Sequence, residues 1–295
     1  MTWRLIAPTV LTALIAYAGF PFRNRLHPKT ATRVFTALAV AAALALMTSL
    51  ALVAWGFVLH LPGLAGRFGW CRSIFHVDDT VPAFVGVLAL LGLLAATGSG
   101  LRQLVRQGHF RRAIAHPTEV VIVDDRSLVA VAVAGGLGHI VMSTAMLELL
   151  DDDETAVVLS HERAHLRCRH DRYRFATSIA VGAFPVFWPL RRLVGYTTER
   201  WADEEAAHEV GNRALVASTL TKIALAIHGT CNEAMAISGF GVADRVQALG
   251  EPPVGGGSWR QRWHVVSAVL VVGTVTASVI QLQQLIAFAA HACGT

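Results

Sequence analysis

The sequence predicts a mainly α-helical membrane protein, with about four transmembrane helices and a cytoplasmic α+β domain built around a small antiparallel sheet. Three observations lead to that class. The chain is 54% hydrophobic with only 15% charged residues, and its mean hydropathy is +0.51, which is too apolar for an ordinary soluble protein. Apolar runs long enough to cross a bilayer alternate with loops rich in arginine. From about residue 113 to 250 the composition becomes that of a folded domain, with strand-like runs followed by amphipathic helical patterns.

The first apolar run, residues 3–20, is read as a transmembrane helix rather than a cleaved signal. Arg23, Arg25, Lys29 and Arg33 follow it at once and mark the next loop as cytoplasmic. Residues 34–59 are apolar throughout and suffice, at 1.5 Å per residue, to span a hydrocarbon core of roughly 30 Å. Residues 81–98 form a third span, closed by Arg102, Arg106, Arg111 and Arg112. Residues 251–262 read as a Pro- and Gly-rich linker, and residues 265–290 as the last span. This count makes a multi-pass protein of the plasma membrane, with both termini outside and the 113–250 domain in the cytoplasm. None of the four cysteines forms a C-x-x-C pair. Cys71 and Cys293 fall on the oxidising side and are expected to form a disulfide, whereas Cys168 and Cys231 stay reduced. The excess of positive charge, +5, lies beside the apolar runs without interleaved aromatics, so it reports topology, and no direct nucleic-acid binding is expected.

Within the domain, residues 119–123 and 139–143 read as strands. The alanine-rich stretch 129–134 between them is a candidate edge to which an extended peptide could add. Asp151, with Glu154 three residues on, opens a helix expected to run to about Tyr173. Residues 175–190 are uncharged but hold Gly182, Pro185 and Pro189, and read as a broken helix that dips into the membrane interface or packs under the sheet. A further helix is expected from a Thr198 cap to Val210, ended by Gly211, and another from Asn212 to about His228.

The first of these helices carries His161-Glu162-Arg163-Ala164-His165. This is H-E-x-x-H, whose i, i+4 spacing puts two imidazoles about 6 Å apart on one face, ready to hold one zinc ion. Glu162 reaches a water on that metal more readily than the metal itself, so it is the candidate base. Glu199-Arg200-Trp201-Ala202-Asp203 supplies Glu199 as third ligand and Asp203, one turn on, as an acceptor that orients a ligand histidine. Three protein ligands leave the open position of a catalytic site, with one zinc per chain. The pattern Gly and His at 168 and 171, which would extend the first motif differently, is absent: the chain has Cys168 and Asp171. Cys168, His170, His208, Glu204 and Glu205 are the nearby alternatives. Cys168 lies about 10 Å along the axis from His161 and reads as core, and His170 and His208 as surface or packing histidines. Tyr196, Arg200, His208 and Arg213 remain open as the group that stabilises an oxyanion. Requiring Glu199 to meet the two histidines excludes a membrane crossing between them.

The arrangement resembles the integral-membrane gluzincins, on Leu159-Ser-His-Glu-Arg-Ala-His-Leu166, on Glu199 to Asp203, on Ile140-Val-Met-Ser-Thr144 and on the flanking apolar helices. It most resembles the BlaR/MecR-type peptidases of beta-lactam-sensing transducers and is more distantly similar to the HtpX and CAAX prenyl protease group. The resemblance implies His161, His165 and Glu199 as zinc ligands, Glu162 as base and Asp203 behind them. Two departures stand out. An Asn-Ala-Phe-like edge strand is replaced here by 129–134, and no penicillin-binding domain follows the last span, so antibiotic sensing by these residues is not expected.

The function expected is therefore that of a zinc metalloendopeptidase cutting protein or peptide substrates at the inner membrane face, such as a transcriptional repressor or a membrane protein. The bilayer is a second partner, and self-association is compatible with the sequence. The alternatives are an HtpX-type quality-control protease and a non-catalytic zinc-binding sensor or scaffold.

Overall fold

The computed structural model describes residues 26–58, 61, 82–113, 118–135, 138–230 and 241–252. The first and last apolar runs, most of the linker and Cys71, Cys231 and Cys293 lie outside the described residues, so the four-span count and the disulfide rest on sequence alone. The described protein is mostly helical with a small mixed sheet.

Two long helices, α1 (Pro28–Val58) and α2 (Ala83–Ala113), carry the apolar runs. Pro28 opens α1, a position where its fixed φ suits the helix and its missing N–H costs nothing. Both are long and apolar enough to cross a membrane, α1 over its full length and α2 over Ala83–Arg106. They pack antiparallel through small residues. A Cβ on Gly86 would stand 2.2 Å from Cγ of Phe57, so only glycine allows that approach. On its other side α2 exposes Phe84, Val87, Leu88, Leu91, Leu94, Leu101 and Leu104, a continuous apolar stripe at helical spacing.

The sheet consists of β1 (Val120–Val123), β2 (Ala130–Val133) and β3 (His139–Ser143). Its order is β1-β3-β2, with β3 parallel to β1 and antiparallel to β2. The expected all-antiparallel sheet is thus corrected to a mixed one. The physical reason is burial: β3 is buried at four of its five positions and takes the centre, where both edges are paired, leaving the alanine-rich β2 at the rim. Ser143 ends the strand and caps the short helix α3 (Thr144–Leu149); its Oγ accepts from the Met146 and Val129 N–H groups, each at 3.1 Å.

Helix α4 (Asp152–Arg167) begins with a complete capping box: Asp151 accepts from the Glu154 N–H at 2.8 Å, and Glu154 accepts from the Asp151 N–H at 3.0 Å. It does not run to Tyr173. Cys168 is its half-buried C-cap, a free thiol rather than core, and Arg169 adopts the left-handed conformation at φ 54°. Helix α5 (His170–Ala183) then starts in a new direction. Phe184 leaves the helix and a 3-10 turn, Pro185–Phe187, leads into α6 (Trp188–Val210), with Pro189 in its first turn. Thr198 is therefore no cap; it lies buried in mid-helix, its hydroxyl donating to the Gly195 carbonyl at 2.7 Å. Gly211, at φ 73°, ends α6 as expected. Asn212 accepts from the Leu215 N–H at 3.0 Å and caps α7 (Arg213–Thr230). A last helix, α8 (Val242–Gly250), follows Gly241 and was not anticipated.

The α5–α6 hairpin does not pack under the sheet. Ala180, Phe184, Phe187 and Leu190 share a buried cluster with Ala39, Ala42 and Ala43 of α1 and Ala96 of α2. Leu193 and Val194 join Ala31, Phe35 and Leu38 in the next. The hairpin thus runs down beside the apolar helices and returns, which keeps both ends of the 175–190 stretch on one side. A second layer, Val157, Ala206, Ala207, Val216 and Leu249, packs α4, α6, α7 and α8 together, and Met142, Met146, Leu150 and Val158 seat the sheet on α4.

The left-handed residue at the α4–α5 junction is a direct test of this break. Arg169→Val places a β-branched side chain at positive φ and should lower stability by about 1–2 kcal/mol, whereas Arg169→Gly should leave it equal or higher. Chemical unfolding of the purified protein checks the order; equal losses would argue for a continuous helix.

Candidate metal centre

Helix α4 is amphipathic, and His161, Ser160 and Ala164 lie on its buried side against α6. One turn separates His161 from His165, and α6 brings Glu199 across to both. Nε2 of His161 and Nε2 of His165 are 3.2 Å apart. Glu199 places Oε2 at 3.4 Å from the first and Oε1 at 3.6 Å from the second. Tetrahedral ligands about 2.1 Å from a zinc ion stand about 3.4 Å from one another. The three donors therefore already have the spacing of one face of a zinc tetrahedron, and two imidazoles with one carboxylate are a donor set that suits zinc. Among the described residues they are the group of three able to hold a metal ion, with all ligand atoms within 4.8 Å of one another.

Behind them, Nδ1 of His161 faces Oδ1 of Asp203 at 3.0 Å. Asp203 is 2% exposed and is gripped by Arg245 of α8, whose Nε and Nη2 each donate to one carboxylate oxygen at 2.7 Å. The same guanidinium places Nη1 3.3 Å from Oε2 of Glu199. From the other side Arg174 of α5 pairs with Oε1 of Glu199 and donates from Nε to the Thr198 hydroxyl at 3.1 Å. Burial alone would raise the pKa of both carboxyls; contact with His161 and the two guanidiniums holds Glu199 well below the ordinary range, and Arg245 lowers Asp203. For His161 burial opposes charge, but Asp203 and Glu199 outweigh it and push the imidazole up to about 10. In the metal-free protein a proton on His161 thus does part of the work of a cation.

Glu162 points from the same helix toward the sheet rim. Its Oε2 accepts from the Ala132 N–H at 2.7 Å. In the β2–β3 register Val131 faces Val141 across the ladder, so Ala130 and Ala132 turn their backbone groups away from β3 and toward the open edge. Burial raises the pKa of Glu162, with the neighbouring Glu199 carboxylate acting in the same direction. Arg163, the charge inside the motif, is directed outward and binds Glu119 at 2.7 Å.

The four oxyanion candidates are placed as follows. Tyr196 packs against Gly241, where a Cβ would meet its ring at 2.6 Å. Arg200 is buried, 3.9 Å from Glu204. His208 is exposed. Arg213 pairs with Glu204 and donates to the carbonyls of Ala248, Leu249 and Glu251, which fastens the end of α8. The cations that reach Glu199 are Arg174 and Arg245, which the motifs alone did not single out. Neither belongs to H-E-x-x-H or E-x-x-x-D; the available signal was an arginine set in the short apolar pattern Val242 to Leu249 after a glycine. His170, read as a surface or packing histidine, is fully buried against His165.

Residues 99–233 match peptidase family M48. The match supports a metallopeptidase, and the zinc requirement of that family agrees with the two-histidine, one-carboxylate group. The matched stretch contains all three candidate ligands and stops short of Arg245. No curated protein and no solved structure matches the chain.

Two outcomes follow from the charge arrangement. Because the folded His161 has a raised pKa, its proton stabilises the metal-free fold below about pH 6.5 and that contribution is lost as pH rises toward 10. A metal must displace this proton, so zinc uptake near pH 7.5 should release about one proton from His161. Calorimetry in buffers of different ionisation enthalpy measures it, and uptake with no release would contradict the charge state. Arg245→Leu leaves the buried Asp203 carboxylate without its cation and removes one of the two that reach the partly exposed Glu199; it should destabilise the metal-free protein by about 3–5 kcal/mol, with added zinc recovering part of the loss in thermal unfolding.

Proposed function

We propose that this chain is a membrane-tethered zinc metalloendopeptidase that cleaves protein substrates at the cytoplasmic face, in a regulatory role. The observation that carries the reading is the convergence of the His161, His165 and Glu199 donor atoms with Glu162 beside them at an open strand edge. A zinc ion held there would supply an acidified water and a Lewis-acid contact to the scissile carbonyl. The remaining chemistry falls to the protein. Glu162, whose buried carboxyl titrates above the ordinary glutamate range, takes a proton from water and returns it to the leaving amine. Asp203 keeps the proton of His161 on Nδ1, so that Nε2 faces the metal position. Arg174, half-exposed beside Glu199, offers positive charge where the carbonyl oxygen becomes anionic.

An extended substrate adds to β2 through the outward N–H and carbonyl of Ala130 and the outward carbonyl of Ala132, whose N–H is held by Glu162, which places one of its peptide bonds next to Glu162. That pairing reads the main chain rather than a particular side chain, and suits an endopeptidase acting on an unfolded or flexible segment.

The membrane side is argued from charge. Lys29 and Arg33 at the start of α1, and Arg102 and Arg106 toward the end of the antiparallel α2, lie at the same end of the helix pair as α6, since Thr32 donates to Thr197 at 3.0 Å and Lys29 sits over Trp201. Basic flanks favour the cytoplasm. The stripe of exposed apolar residues on α2, with Val186 and Trp188 exposed at the hairpin tip, is the surface that lipid would cover.

Glu162→Gln should retain zinc and lose about two to four orders of magnitude in cleavage rate, and His161→Ala should lose both metal and cleavage. Comparing the protein termini in cells carrying the wild type or Glu162→Gln identifies the substrates. Regulators among the lost termini support signalling, and a broad set of membrane proteins would instead indicate clearance. Identical termini in the presence of bound zinc would leave a scaffold, and the peptidase reading would be wrong.

A further inference from the structure

The two candidate ligand histidines are supported differently. Nε2 of each ring faces the shared donor position. An imidazole that binds a metal through Nε2 carries its proton on Nδ1 and needs an acceptor there. For His161 that acceptor is the Asp203 carboxylate. For His165 no carboxylate among the described residues occupies the place. Its Nδ1 is 2.9 Å from Nδ1 of His170, and the two rings meet nearly at right angles, 85°, with centroids 4.7 Å apart. The His170 ring is 1% exposed and packs on Trp201 at 4.7 Å.

Two ring nitrogens at this distance share one hydrogen, which leaves two arrangements. If His170 donates, His165 is the acceptor and keeps its own proton on Nε2, where it blocks the metal. If His165 donates, its Nε2 is free for the metal, and His170 carries its proton on Nε2. Nε2 of His170 is buried and has no hydrogen-bond partner among the described residues, so nothing there opposes the second arrangement by holding the ring in the first. The local fold explains how a residue five positions on can reach back: Arg169 in the left-handed conformation stops α4 and turns the chain, so His170 opens α5 with its ring against the last turn it has just left.

We propose that His170 is a positioning residue that holds His165 in the tautomer able to bind metal, acting as a neutral hydrogen-bond acceptor through Nδ1. The proposal rests on the zinc reading of the site and goes beyond it by naming what makes His165 a ligand.

The test uses the full chain in detergent, with zinc ion competed against a chromophoric chelator. His170→Phe keeps an aromatic ring on Trp201 and removes the acceptor; His170→Asn keeps an acceptor where Nδ1 stands. Zinc affinity should fall by about 10–100-fold in His170→Phe and stay within about threefold of wild type in His170→Asn. Wild-type affinity in His170→Phe overturns the proposal, and so does an equal loss in both variants, which would mean that the ring only fills space. A second measurement needs no variant: nitrogen-resolved NMR of the imidazoles in zinc-loaded wild type should find His165 protonated on Nδ1 and His170 on Nε2, and the reverse pattern overturns the assignment. Failure of the wild type itself to bind zinc would instead remove the zinc reading, and the proposal with it.

Discussion

Two carboxylates, the buried Asp203 and the partly exposed Glu199, sit one turn apart on α6, and much of the surrounding structure offsets that charge. An unpaired ion in such a place costs several kcal/mol. Here Arg245 arrives from α8 with a two-pronged contact to Asp203 and a third nitrogen toward Glu199, while Arg174 arrives from α5. The small helices exist in this light to deliver cations. Gly241 at φ 83° starts α8 against the Tyr196 ring, and Arg213 ties its far end. A metal ion held by His161, His165 and Glu199 would add positive charge to a site in which Arg174 and Arg245 already offset most of the carboxylate charge.

The H-E-x-x-H and E-x-x-x-D motifs were legible because their meaning is local: spacing on one helix determines which side chains share a face. The capping box at Asp151, the stop at Gly211 and the presence of a break within residues 175–190 were legible for the same reason. The break at Arg169 was not, because a non-glycine residue in the left-handed region leaves no compositional mark. With that break went His170, which a straight helix would have carried away from His165. Arg245 lies 42 residues from Asp203, and no spacing rule joins two residues through a separate helix. The sheet order was missed because pairing depends on which strand is buried most, and His139–Ser143 gains its burial from α4 and α3 rather than from its own pattern.

Thr198 was misread by a related route. Threonine before a charged, helical stretch is a fair cap signal, yet here α6 had already begun ten residues earlier, at Trp188, and the hydroxyl satisfies itself on the preceding turn. What extends α6 backward is packing: Leu190, Leu193 and Val194 are buried against α1, and tertiary contact outweighs a local cap preference.

That same packing has a consequence for how the molecule is divided. The helix that presents Glu199 begins in the apolar cluster it shares with α1, and the buried Thr32–Thr197 bond lies less than one turn before the ligand. The anchor and the ligand are thus two ends of one rigid rod. No clean seam separates the apolar helices from the candidate site, and a shift of α1 against α6 would reach Glu199 directly. Were α1 seated in a bilayer, a change in that seating would be a change at Glu199, the third donor of the candidate metal site.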